Sequence, residues 1–564
     1  MIYLPGLFFR APGNLFSTQP TTFMRTRSIL TISLLACAAA ASAQSAIDAY
    51  NITPTQLRGT ARFIGMGGAF TSLGSDLSCM TQNPAGLGLY RHSDIGLTFD
   101  VSIRNYKSET PAAKYTNNET RVKFDNFGYV GVVDLNGAMR NFQWGVSYNR
   151  LAVLDRHTTA YNYPTSTSLS NYISWYTNGV NSEDLIEGEN YDPYFDSSND
   201  WLSILAFNSF MINNPGNNFE EYSGLYKNGT EGDAFYDVYE RGYVDEYNID
   251  FAGNVNDVVF WGLGLGIYDL SYTRELAYSE SMAGANIYDN STGRLTTGNA
   301  GFNLNSWQGI SGSGVNLKFG VIVRPVEMLR LGFAIHTPTW LHLSHNTSAE
   351  TAYNYTPDNT TDTNSGTFST PTNDYASRLN TPWRFMVGAS VVIGPKAILS
   401  LDYERVAYND MKLKEPRYFD NYYGGGGSFV DNAYANEDVK NYFRAANIIR
   451  VGAEYRLSKS WSVRAGYNYQ SSNVTKDAAD GKMHISTAGT DPSYRFDNDT
   501  QNICLGLGYR YKSWYIDLAY QHTRQSGTLH AYTPFTEGNI TYNAPSAKVT
   551  DSYNNIVIST GIRF

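Results

Sequence analysis

The sequence predicts an all-β fold, a 14-stranded antiparallel transmembrane β-barrel with an N-terminal hatch (plug) in its lumen. Three observations carry that expectation. Segments of about ten residues alternate between apolar and polar side chains, as tilted membrane strands require. The connections between them are short and long by turns, and a soft, glycine-rich stretch precedes the first convincing strand. Composition agrees: of 564 residues only 17 % are charged while 14 % are aromatic, with 44 Tyr, 50 Gly and a net charge of -10. A water-soluble chain carries about a quarter charged residues. The acidic balance and the absence of Lys/Arg clusters exclude nucleic acid as a partner.

The first element is not part of the mature protein. Met24-Arg25-Thr26-Arg27 leads into an apolar run from Ser28 to Ala36 and then Ala41-Ser42-Ala43. A basic start, an apolar middle and a small-x-small site describe a secretory signal peptide over 24–43, cut before Gln44. Residues 1–23 read as a mis-called start extension. Cys37 leaves with the signal, so the mature chain keeps only Cys79 and Cys504. Beyond the signal no apolar run reaches the roughly 18 residues of a membrane helix.

Residues 44–93 form the hatch. The stretch Gly65-Met66-Gly67-Gly68-Ala69-Phe70 continues through Asp76 and Cys79 to Asn83-Pro84-Ala85-Gly86 with no other charge. A segment folded inside a narrow lumen needs tight turns and close backbone approach, which glycine permits.

The barrel, 94–564, follows. In Trp514-Tyr515-Ile516-Asp517-Leu518-Ala519-Tyr520-Gln521 one face is Trp, Ile, Leu and Tyr, and the other Tyr, Asp, Ala and Gln. One face suits lipid and the other a polar lumen. The same rule puts Asp402 and Arg464 inward and places strands at 94–107, 123–134, 142–155, 242–252, 258–278, 311–323 and 328–345. The second half adds 381–392, 397–409, 443–455, 461–471, 501–509, 514–524 and 552–564. Short turns such as Leu135-Asn136-Gly137 and Gly394-Pro395-Lys396 alternate with long polar connections at 108–122, 156–241, 279–310, 346–380, 410–442, 472–500 and 525–551. A soluble sandwich has no reason to sort loop length by parity, whereas an outer-membrane barrel does.

In the longest connection Trp201, Ile204, Leu205, Phe207 and Met211 fall at helical spacing. The sequence leaves open whether this helix packs over the barrel mouth or captures a ligand. The terminal Phe564 closes the alternation of the last strand, the form of an assembly signal read by the outer-membrane assembly machinery. Cys504 falls on the lumen face and Cys79 in the hatch, so a disulfide between them is one outcome and two free thiols the other.

At the hatch a resemblance becomes specific. Arg58-Gly59-Thr60-Ala61-Arg62, the run Gly65 to Phe70, Asp76 and Asn83-Pro84-Ala85-Gly86-Leu87 resemble the hatch of the FadL family of outer-membrane transporters for long-chain fatty acids and other hydrophobic compounds. Trp144 to Tyr148, Leu331 to Pro338 and Thr381 to Phe385 also resemble family segments. The resemblance implies a bacterial outer-membrane location, no cofactor, and passive uptake of fatty acids or aromatic hydrocarbons. Loops would capture the ligand, the lumen would bind it, and a gap at a kinked third strand would release it sideways. Gating would fall to Gly65, Gly67, Gly68, Asp76, Asn83, Pro84 and Ala85. The kink would lie at Tyr148, Asn149 and Arg150, where no Pro or Gly marks it.

Rival classes are an enzyme, an accessory of protein secretion, and a haem-binding or adhesive surface receptor. No nucleophile motif surrounds any of the eight His, so no catalytic residue is assigned. His342 and His345 alternate across a strand and cannot share a metal ion, so no metal ligand is assigned either. The expected partners are a hydrophobic ligand and outer-membrane lipid, with the chain acting as a monomer.

Overall fold

The computed structural model describes residues 45–214, 218–289, 292–358, 362–417 and 428–564. The signal segment and the expected cleavage site before Gln44 lie outside the described residues. Among those described, no helix is long and apolar enough to cross a membrane.

Fourteen strands close into a barrel. They are β1 (Asp94–Glu109), β2 (Lys114–Asp134), β3 (Met139–Val153, continued by Arg156–Asn162), β4 (Glu231–Val255), β5 (Val259–Asp289), β6 (Arg294–Val326) and β7 (Leu329–His336 with Trp340–Pro357). There follow β8 (Asn364–Ser369, Asn373–Asn380 and Arg384–Ile393), β9 (Ala397–Ala407 with Lys412–Pro416), β10 (Ala445–Arg456), β11 (Trp461–Gln470), β12 (Tyr494–Tyr511), β13 (Trp514–His530) and β14 (Ser546–Arg563). Each pairs antiparallel with the next, and β14 returns to β1 in a ladder from Asp94↔Arg563 to Glu109↔Lys548. Closure satisfies the strand backbones around the wall, with one opening between β2 and β3.

Period two sorts the faces. On β1, Ile95, Leu97, Phe99, Val101 and Ile103 point out, while Asp94, Thr98, Asp100, Ser102 and Arg104 point in and are buried. An apolar outer band around a polar interior is the build of a bacterial outer-membrane barrel. Trp144, Trp461, Trp514, Tyr247, Tyr467 and Tyr520 stand exposed on that outer face.

The fourteen expected strands are all present, but they are longer than the alternation alone suggested. The connections expected at 108–122 and 279–310 are extensions of the strand ladders, the first turning at 110–113 and the second pairing β5 up to Asp289 with β6 from Arg294. β4, β5 and β6 run for 25, 31 and 33 residues, against about ten needed to cross a bilayer. Above the membrane a strand needs no apolar face. Pairing therefore continues through polar residues that read as loop.

Two plugs close this tube. The N-terminal segment folds into the lumen as α1 (Ala46–Ile52), α2 (Ala61–Gly65), α3 (Cys79–Gln82) and a 3-10 turn over Pro84–Leu89. Its ends are capped locally: Ser45 and Asp48 make a capping box, Thr60 Oγ1 accepts Phe63 N–H, and Asn83 Oδ1 accepts Ala85 N–H. At the other end, α4 (Leu169–Thr177) and α5 (Trp201–Asn208) form a cap over the mouth. They share one apolar cluster with Leu276 and Tyr278 of β5, Phe302 and Leu304 of β6, Tyr353 and Tyr355 of β7, and Leu529, Tyr532 and Phe535 beyond and within β13.

Candidate functional site: the plugged lumen and the breach in its wall

The hatch is fitted to the wall by missing side chains. Gly67 and Gly68 sit at φ +64° and +76°, where a side chain is strained, and a Cβ on Gly67 would lie 2.8 Å from Tyr467 N. The wall answers with its own glycines. A Cβ on Gly320 of β6 would stand 1.8 Å from Asn83 Oδ1, and one on Gly262 of β5 would stand 2.3 Å from Pro84 C and Ala85 N. Gly262 and Gly320 are cross-strand partners, so the 3-10 turn beds into one glycine-lined hollow. Gly65 lies likewise against Gly506 of β12.

Polar bonds then hold what the glycines admit. Asn83 Nδ2 donates to Thr71 O at 2.6 Å, and Thr71 N–H donates to Asp402 Oδ2 at 2.7 Å. Asp76 Oδ1 accepts from Thr60 Oγ1 and from Ser78 N–H, fixing the turn that aims α2. Lys318 Nζ donates to Met80 O and pairs with Glu246 at 2.6 Å. Arg62 pairs with Glu454, itself bound by Arg464 of the wall. Asp402 and Arg464 thus face inward as the alternation required. Each such bond adds a net stabilisation of about 0.5–1.5 kcal/mol.

Above the hatch the interior changes character. Leu270, Leu341, Leu343, Leu379, Val406 and Ile448 occupy inward positions, where a water-filled channel would be polar, and α1 packs its Ile47, Tyr50 and Ile52 among them. Asp48 of α1 is held at the rim of this apolar layer by Gln308 Nε2 at 2.9 Å, and burial raises its carboxyl above the usual carboxylate range. Two cavities flank the chain from Pro54 to Arg58. One, of ≈ 100 Å³, is lined by polar groups including Arg104, Arg156, Asn502 and Gln521. The other, of ≈ 140 Å³, is lined by Ile52, Leu57, Phe63, Leu151, Leu341 and Ile448 together with Arg58, Gln82, Arg384, Arg450 and Gln470. Arg450 Nη2 binds Glu404, but its Nε and Nη1 have no partner among the described residues.

The wall is breached between β2 and β3. Their ladder runs from Asp134↔Asn141 to Asn126↔Asn149 and stops. β3 then bulges between Arg150 and Ala152, breaks after Val153, and its continuation pairs only with β4. No Pro or Gly is needed, because a bulge turns the strand. The freed edge is covered by the hatch: Gln56 Nε2 donates to Val153 O at 3.0 Å and Gln56 Oε1 accepts Val153 N–H at 3.1 Å. Beside it Tyr148 and Arg150 both bind Asp245, Asn149 donates to Ser147, and Arg58 bridges Asp100 and Asp125.

The remaining sequence expectations fall as follows. Gly65, Gly67, Gly68, Asp76, Asn83, Pro84 and Ala85 come together in the hatch; Tyr148, Asn149 and Arg150 border the breach. α5 ends at Asn208, short of Met211, and it is sheathed rather than amphipathic. Ile204, Leu205 and Met211 are fully buried in the cap, and Trp201 and Phe207 are half-buried against it. Tyr194 and Phe195 pack on Trp201, and Tyr222 packs on Phe207, so side chains of the same connection cover the face that helical spacing alone left open. Cys79 and Cys504 are free thiols, which corrects the disulfide outcome. Cys79 backs onto Gly86 while Cys504 faces the Gly67 turn, so parity put both inside without bringing them together. His342 is exposed and His345 buried, on opposite faces. Phe564 is exposed, and its backbone exchanges two 3.0 Å hydrogen bonds with Ser93. Gln56, Arg450 and α1 were not singled out from sequence. A lone Gln or Arg in a polar-in strand pattern carries no signal of its own.

No protein-family model matches the chain, and no curated protein matches it. Among solved structures it is similar to the toluene transporter TodX of Pseudomonas putida, at 14 % identity and TM-score 0.47 over 90 % of this chain and 99 % of that one. It is similar to a FadL homologue of Pseudomonas aeruginosa at 14 % identity and TM-score 0.48, covering 91 % and 99 % of the two chains. The toluene transporter TbuX of Ralstonia pickettii gives 14 % identity and TM-score 0.43 over 90 % and 99 %.

Proposed function

We propose that this outer-membrane barrel takes up hydrophobic small molecules passively, binding them in the apolar layer above the hatch and releasing them sideways through the β2/β3 breach. The observation that carries the reading is the apolar inward layer, which serves no water-filled pore and is filled here by α1. An apolar ligand gains about 0.8 kcal/mol for each CH2 it removes from water, so lateral release into the bilayer needs no energy source. In this reading α1 stands where the ligand's tail goes, and Gln56 is the latch: binding that shifts the Pro54–Arg58 chain frees the edge at Val153. Arg450 refines the ligand class. Two N–H donors without a partner among the described residues, beside Arg58 and Arg384 in a cavity that mixes Leu and Ile with Gln, Asn and Thr, suit a long-chain carboxylate better than a neutral hydrocarbon.

Binding and uptake of oleate and toluene test this. Removing residues 45–53 should speed oleate uptake, and Arg450→Gln should weaken oleate binding by about tenfold or more while leaving toluene unchanged. Oleate that neither binds the intact barrel nor crosses faster after removal of α1 would overturn the proposal.

A further inference from the structure

The chain is acidic, with a net charge of -10, yet one arc of its short-turn rim is basic. The turns β8–β9, β10–β11 and β12–β13 and their flanks present Lys396, Arg456, Lys459, Arg510 and Lys512, all exposed, with no exposed carboxylate side chain on the same turns. None of the five has an ion-pair partner among the described residues. The turns form one continuous edge, since Arg456 N–H donates to Lys396 O at 2.7 Å and Arg510 N–H donates to Ser460 O at 2.9 Å. Exposed apolar and aromatic side chains alternate with the cations: Ile393, Tyr455, Leu457, Trp461, Tyr511 and Trp514. Trp461 and Trp514 pair across the ladder with Tyr509 and Ile562, which continue the lipid-facing band.

We infer that this arc is a docking surface for the anionic phospholipid headgroups of the periplasmic leaflet. Short turns mark the periplasmic end of an outer-membrane barrel, so the arc stands at headgroup height. Aromatic side chains settle at that level and cations beside them attract anionic lipid. The continuity with the lipid-facing band singles out lipid over an acidic protein, which would be met by the cations alone. The arc spans β8 to β13 and lies away from the β2/β3 breach, so it concerns the seating of the barrel and not the ligand route.

The test uses the full mature barrel in nanodiscs of phosphatidylcholine with a quarter phosphatidylglycerol, with the lipids retained by the protein counted by native mass spectrometry. Phosphatidylglycerol should be enriched about threefold over its bulk share, and the enrichment should fall as salt rises from 0.05 to 0.5 M because exposed charges are screened. The variant Lys396→Gln, Arg456→Gln, Lys459→Gln, Lys512→Gln should lose the enrichment while keeping heat-modifiable migration, which reports a folded barrel. A second variant with the same number of exposed cations replaced at the opposite end of the strands, Lys107→Gln, Lys114→Gln, Lys440→Gln and Lys476→Gln, should keep it. Retained lipid at the bulk ratio, or equal enrichment in the rim variant, would overturn the inference. So would capture of polyglutamate by the arc in pure phosphatidylcholine without phosphatidylglycerol enrichment, which would point to an acidic protein.

Discussion

The barrel is closed at both ends, but by different physics. The hatch meets the wall through glycines and through hydrogen bonds and ion pairs to backbone and side chains, as at Lys318–Met80, Thr71–Asp402 and Arg62–Glu454. The cap meets the strands through a cluster of Leu, Ile, Tyr and Phe, with Tyr172 stacked on Tyr532 at 5.5 Å and Trp175 against Phe535 at 5.8 Å. Water can substitute for a polar bond, so a polar seal can loosen piece by piece. An apolar seal loses its whole burial when it parts. The hatch is therefore the end suited to local rearrangement, and the cap the end suited to staying shut.

The comparison breaks most sharply in the cap. Leu205→Asp should cost more than 3 kcal/mol of cap stability by burying an unpaired charge. Limited proteolysis should then cut between residues 163 and 230 while the barrel still migrates as folded; an uncut loop would show that the cluster does not hold the cap. Next in size is the glycine hollow. Gly320→Leu cannot coexist with Asn83 at its present place, and it should displace the hatch and raise ion conductance in planar bilayers by an order of magnitude or more. A conductance equal to that of the unaltered barrel would mean that the hatch is anchored elsewhere.

Smaller effects sharpen the contrast. Asn83→Ala removes one bond to Thr71 and one cap, about 1–2 kcal/mol, and should raise amide exchange in residues 79–89 without a leak. The smallest effect is a pH dependence confined to the cap. Burial raises the Asp200 carboxyl to about 6, against the lowering by its bonds from Leu202 and Ser203 N–H. An acid with a raised folded value stabilises the fold below its ordinary value near 4, and that contribution is lost as pH rises through about 6. Acrylamide quenching of the cap tryptophans should therefore increase from pH 5 to pH 8. Burial lowers His484 in the same cap, and that group acts with the opposite sign. The informative measurement is the difference from Asp200→Asn, which caps α5 equally well. It should be of order 1 kcal/mol in stability across that range, and identical profiles would remove Asp200 from the account.

Much of this was written in local pattern. The alternation at Trp514 to Gln521 fixed which side chains face lipid, because successive side chains on a strand point to opposite faces whatever surrounds them. The same rule set the count of fourteen strands and put Asp402, Arg464 and Cys504 indoors. The glycine doublet at 67–68 announced a tight turn, since few other residues tolerate its positive φ, and Asn83-Pro84 announced a capped one through the Asn side-chain acceptor and the fixed φ of Pro. What the tertiary structure decided is everything that depends on height and partner. Parity cannot say that Cys79 and Cys504 lie beside different glycine turns, that β4 to β6 keep pairing above the bilayer, or that α5 shares one buried cluster with side chains of β5, β6 and β7. Nor can it say that β3 leaves β2 at Asn149 and hands its freed edge to Gln56. A bulge at Leu151 changes no residue type; it lies just past the last β2 pair, Asn126↔Asn149, where only the ladder to β4 still holds the strand.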